Sequence, residues 1–300
     1  MMRLADIERR VSSMEELERI VGAMRAIASM RVQEAVRALA SVREYGEALA
    51  RAVREALAIA VETPHSDAVL RNRVAGWERA NAPGGHAPES PPRRGIVLFT
   101  SEHGFVAGFN ERLIEAVELD LASSDTLLIV GSRGAAFAAE RGHRPAWTSP
   151  MATGLASVSQ TVRHLEEELY PQIARGEITR AEVVFGRYAR GSAARIERRR
   201  LFPLEVAPSS HSGRGLAPLH DLPAAELLER LTAEYVLAQL TEAAIEALAA
   251  ENGARFATME SASDNITHKL EGLQLEASRA RQEEVTTELL DLVVGGQALG

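Results

Sequence analysis

Leu4, Ile7, Val11, Met14, Leu17, Val21, Met24 and Ala28 follow one another at intervals of three or four residues, and Ile20 and Ile27 widen the stripe. That interval is the repeat of one face of a helix. Towards the other end Leu228, Leu231 and Tyr235, then Ile266, Leu270, Leu273, Ala277 and Ala280, repeat it. All 12 prolines lie between Pro64 and Pro223. Because proline inside a helix costs about 3 kcal/mol or more, the two proline-free ends predict long helices, from about residue 3 to 60 and from 223 to 294. At 1.5 Å per residue they would measure ~85 Å and ~105 Å. Helices that exceed the width of a small domain must pack against each other or against a partner, and the simplest arrangement of two such ends is an antiparallel coiled coil. Gly22, Gly46, Gly253 and Gly272 interrupt them mildly, permitting close approach or bending.

Between the helices the pattern changes. Residues 62–93, rich in proline and glycine, read as an irregular linker. Short apolar runs at Arg94–Ser101 and Thr126–Gly131 read as buried strands, with helices near Asn110–Leu121, Ala135–Arg141 and Ser157–Ala174. Glu182–Ala189 and Arg195–Pro203 read as further strands, close enough to form a hairpin. The alternation predicts a three-layer α/β insert with a mostly parallel sheet, Rossmann-like in plan. Four segments follow: an N-terminal helix (1–61), the linker (62–93), the α/β domain (94–221) and a C-terminal helix (222–300).

Composition narrows the function. Of 300 residues 46% are hydrophobic, which supports a sizeable core, and only 4% are aromatic, which favours closely packed helices. The absence of cysteine excludes disulfides, thiolate metal sites and a cysteine nucleophile. The net charge of −8 argues against nucleic-acid binding. It is unevenly spread: residues 222–300 hold 14 acidic and 5 basic side chains, whereas the rest of the chain is nearly neutral. Lys269 is the one lysine, so a Schiff base or a phosphate-loop lysine has a single candidate. No stretch approaches the roughly 18–20 apolar residues of a membrane span, and Met1–Arg10 lacks the apolar core of a signal peptide. The expectation is a soluble, unexported chain that reaches a membrane only through other proteins.

Candidate chemistry is sparse. The loop Ser101–Asn110 (SEHGFVAGFN) sits where a doubly wound fold binds phosphate, yet Gly104 and Gly108 make no GxGxxG and no GK[ST] follows. A tight strand-to-helix turn is the favoured reading there, as it is for Gly131–Gly134. His103, His143, His164, His211 and His220 are scattered without metal-ligand spacing. Glu166, Glu167 and Glu168 point in different directions around a helix and read as a solvated face. Arg198, Arg199 and Arg200 read as a guarded sheet edge. Nothing argues for catalysis, a cofactor or a metal. On the last helix, polar groups stand at helical spacing beside an apolar stripe, either as a solvated face or as a surface for a partner.

Three blocks resemble the γ subunit of F-type ATP synthases. Ile7–Ala35 (IERRVSSMEELERIVGAMRAIASMRVQEA) resembles that family's N-terminal helix. SEHGFVAGFN resembles its SDRGLCGGLN loop. Glu251–Asn265 (ENGARFATMESASDN) with Ser278–Leu299 (SRARQEEVTTELLDLVVGGQAL) resembles its C-terminal helix. The chain departs from the pattern at Ile20–Met24, which lacks the family's lysine, and at Glu102, His103, Phe105, Val106 and Ala107, as a divergent bacterial branch would. The resemblance implies a non-catalytic rotor shaft, one copy per complex, without cofactor. Its helices would turn inside the ring of α and β subunits, and its insert would sit against the ε subunit and the c-subunit ring. It further implies a peripheral membrane protein on the cytoplasmic face of the bacterial inner membrane, with no direct insertion. By position it assigns contact with β subunits to Arg281, Gln282, Thr286, Glu288, Met24 and Arg255. A coiled-coil scaffold and a nucleotide-binding α/β enzyme with helical arms are the readings the residues leave open.

Overall fold

The computed structural model describes residues 4–62, 93–204 and 220–297. The expected linker therefore lies almost wholly outside the described residues. Among the described residues ten elements follow in order: α1 (Leu4–Glu62), β1 (Arg94–Phe99), α2 (Phe109–Glu118), β2 (Thr126–Val130), α3 (Ser132–Glu140), β3 (Trp147–Ser149), α4 (Leu155–Ala174), β4 (Arg180–Arg187), β5 (Arg195–Phe202) and α5 (Ala224–Gln297). The two terminal helices run 59 and 74 residues. Both occupy the proline-free ends.

The chain falls into two units, one spanning Met30–Ala254 and one formed by Met1–Ser29 with Arg255–Gly300. In the first, five strands form one sheet in the order β3-β2-β1-β4-β5. Neighbours are parallel except β4 and β5, which form the expected antiparallel hairpin. Alternation along the strands sends side chains to two faces. Val97, Phe99, Leu128, Val130, Val183 and Phe185 pack into one core with Val162, Leu165 and Leu169 of α4 and Leu240, Ala244 and Leu248 of α5. Ile96, Leu98, Ile129 and Val184 pack on the opposite side with Phe109, Leu113, Ile114 and Val117 of α2. Helices on both faces explain why β1, β2 and β4 are almost continuously apolar rather than alternating. The expected three-layer insert is present. β3 extends it by three residues squeezed between Pro145 and Pro150, a length that carries no periodicity.

In the second unit a smaller cluster of Val21, Met259, Ile266 and Leu270 is buried, with Val11, Met14, Met24 and Ala262 packed against it. These residues belong to the stripes read in the sequence. Leu17, Ile20 and Ile27 remain exposed; the stripe on α1 is wider than the surface that α5 covers in this unit.

Candidate partner-binding site

The loop after β1 carries a carboxylate to the N-terminus of α3. Thr100 Oγ1 donates to the carbonyls of Val130 and Gly131 at 3.0 and 3.2 Å, drawing the ends of β1 and β2 together. The chain then turns so that Glu102 meets the N-terminus of α3. Ser132 N–H and Oγ donate to its carboxylate at 3.0 and 2.7 Å, and Met151 N–H donates at 2.7 Å. Burial alone would push this carboxyl up, but those donors, with the nearby His103, hold it below the usual glutamate range. An anion at a helix N-terminus is favourable, so Glu102 caps α3. The loop is pinned further by buried Asn110. Its Oδ1 accepts from Ser101 N–H at 3.0 Å, and its Nδ2 donates to Ser101 Oγ at 2.8 Å. Glu251 of α5 accepts from the N–H groups of Glu102 and His103, both at 3.4 Å. The tight-turn reading of Ser101–Asn110 fits this geometry. Phe105, 64% exposed at φ +60, stands at the tip. Sequence reasoning did not single out Glu102 as a cap, since its partners lie 30 and 49 residues away.

Where α1 and α5 meet the sheet, arginines answer the acidic helix. Arg43 of α1 pairs with Glu242 at 3.1 Å and also contacts Glu246. Arg199 of β5 bonds Gln239 at 2.7 Å and Glu242 at 2.8 Å. Arg199 also lies over the Phe185 ring at 5.4 Å, a cation–π contact. Tyr188 N–H donates to Glu246 at 3.2 Å, and Arg187 lies 3.7 Å from it. Burial would raise both carboxyls. For Glu242 the pairing with Arg199 and Arg43 wins and holds it below the usual range, whereas buried Glu246 stays above it. The arginine run at 198–200 is thus not only an exposed edge. Arg198 also turns inward, bonding Asp120 at 2.7 Å and buried Glu182 at 3.1 Å.

The residues with implied partner contacts divide into two groups. Every residue from Arg281 to Leu290 is exposed. At 3.6 residues per turn, Glu288, Arg281, Val285, Leu289, Gln282 and Thr286 fall within about 160° of the helix circumference. Val285 (49% exposed) and Leu289 (58% exposed) form the middle of that arc, flanked by the four polar residues. An apolar centre with a polar rim is the anatomy of a protein interface. Thr286 Oγ1 donates back to the Gln282 carbonyl at 2.7 Å. Arg281 Nη2 donates to Glu8 of α1 at 2.7 Å. Met24 and Arg255 do not join this arc. Met24 is half-buried against the cluster that includes Met259, and Arg255 is 6% exposed. Among the described residues no group of three or more His, Asp or Glu side chains could hold a metal ion, and no helix is long and apolar enough to cross a membrane.

Long terminal helices bracketing an α/β insert, with an exposed apolar strip rimmed by polar side chains near the end of the longer helix, define a protein of two long helical arms and an α/β insert. Residues 3–299 match the family described as ATP synthase. The chain is 30% identical to the ATP synthase gamma chain of Streptomyces griseus over 97% of its own length and 94% of that chain. It is 26% identical to the gamma chain of Sorangium cellulosum over 99% and 98%. Its fold is similar to that of a chain in the rotor of the Euglena gracilis mitochondrial ATP synthase, with a TM-score of 0.59, 14% identity and coverage of 94% and 98%. A chain of the Tetrahymena thermophila central stalk and c-ring gives 0.53, with 12% identity and coverage of 81% and 99%. The chain belongs to the ATP synthase γ-chain family, whose members are the non-catalytic central shaft of that complex.

Proposed function

We propose that this shaft couples ion flow through a membrane-embedded c-subunit ring to ATP synthesis or hydrolysis on β subunits. Its terminal helices form an antiparallel coiled coil within the ring of α and β subunits. In support, Glu8 meets Arg281 while Val21 lies against Met259, so the contacts run in opposite order along the two helices. The α/β insert faces the ε subunit and the c ring, and the chain is a peripheral membrane protein on the cytoplasmic face of the bacterial inner membrane. One copy serves each complex.

The observation that carries this reading is the exposed arc from Arg281 to Leu289. Arg281 offers a charge-assisted contact to a carboxylate on β, Gln282 neutral hydrogen bonds, and Val285 and Leu289 apolar area. Thr286 and Glu288 complete the rim; the resemblance assigns Met24 to the lever region of β and Arg255 to a contact upstream on α5, although Met24 is packed within the helix pair and Arg255 is buried. A rotor is useful only if its contacts differ among the conformations of the three β subunits, because only differential affinity biases an equilibrium. Replacing Arg281 and Gln282 together by alanine is expected to lower coupled ATP synthesis by about tenfold or more, the scale of lost hydrogen bonds to charged groups, with the chain still folded and incorporated. Unchanged synthesis and hydrolysis rates in the reconstituted complex would refute the assignment.

A further inference from the structure

We propose that Glu8 is a positioning residue that aims Arg281 at its partner. The proposal rests on the reading of Arg281 as a partner contact and adds to it a residue from the other helix. Ile266, Leu270, Leu273, Ala277 and Ala280 continue the apolar seam of α5, and Arg281 follows directly, flanking the seam at the place where charged residues of paired helices meet across their interface. Glu8 lies in the second turn of α1. Its neighbour Arg9 is turned to Asp6, and Glu8 accepts from Arg281 at 2.7 Å.

A guanidinium carries five N–H donors in a rigid fork. The bond to Glu8 uses Nη2; it restricts the side chain to rotamers that reach Glu8, and donors on Nη1 and Nε are left to address a second carboxylate. An arginine side chain that is 64% exposed would otherwise sample many rotamers, and ordering it on binding weakens the contact. Glu8 supplies part of that ordering before the partner arrives.

An exposed ion pair contributes little to stability, so the effect should appear in coupling and not in folding. Glu8→Ala in the reconstituted complex is expected to lower ATP synthesis about two- to fivefold, the span of an exposed pair, with melting temperature and incorporation unchanged. Glu8→Gln, which keeps an acceptor oxygen at the same reach, should recover part of the loss. In an Arg281→Ala background Glu8→Ala should have no further effect, which a merely structural role for Glu8 would not predict. If Arg281→Ala is itself silent, the partner reading fails and this proposal with it. If Arg281→Ala impairs coupling but Glu8→Ala is neutral, raises the rate or acts additively, the positioning role alone is overturned.

Discussion

At the residue scale, the junction of β1 and β2 shows how little freedom the insert leaves. A Cβ on Gly134 would lie 2.1 Å from Thr100 Oγ1 and 2.2 Å from Thr100 Cβ. A Cβ on Gly131 would lie 2.6 Å from the Thr100 carbonyl oxygen, and Gly131, at φ +127, adopts a backbone angle that side chains disfavour. Gly134→Ala therefore forces the strand and helix apart, and overpacking of this kind costs about 1–3 kcal/mol. The expected result is a melting temperature lower by roughly 2–10 °C, with secondary structure retained; thermal unfolding followed by circular dichroism checks it. The GSRG run was readable as a tight turn from the sequence, because glycines after a strand have few other uses. That Glu102 caps α3 was not, because the N–H groups that donate to it belong to Ser132 and Met151, which only the folded sheet brings near.

At the scale of elements, the long helices were legible because proline is costly in them and their apolar residues repeat at helical spacing. β3 was not, being three residues long. Nor was the charge network that joins α1, α5 and the β4–β5 hairpin, since a glutamate at helical spacing looks the same whether solvated or buried. Glu242 and Glu246 stand one helical turn apart and are shifted in opposite directions. The stability from Glu242, held below its ordinary value near 4.5, is complete above that pH and lost as pH falls through the lowered value. Glu246, raised by burial, contributes in the reverse sense: its stabilisation is present below about 4.5 and lost as pH rises through the raised value. Melting temperatures of wild type and Glu246→Gln between pH 4.5 and 8 should show wild type losing ground to the variant as pH rises. For Glu242→Gln the comparison should run the other way below about pH 4.5, with wild type losing its advantage on acidification. A constant gap in either series would contradict the assigned environments.

At the scale of the whole molecule, the charge of −8 argues against nucleic acid as a partner. Its concentration in residues 222–300 has a structural counterpart, since Glu242 and Glu246 are answered by Arg43, Arg187 and Arg199 from outside the helix. Downstream, Glu283, Glu284 and Glu288 lie in the exposed turns that begin with Arg281. One stretch of the acidic helix is thus neutralised where it joins the insert, and another is open where a partner would engage. Rotation of this chain inside a ring of α and β subunits is what the proposed function requires. It can be watched in single molecules through a probe on the α/β insert, with the ring fixed to a surface and ATP supplied. One chain per ring and ATP-dependent rotation in one direction are expected. A chain that fails to enter the ring, or enters and stays still while ATP is hydrolysed, would contradict it.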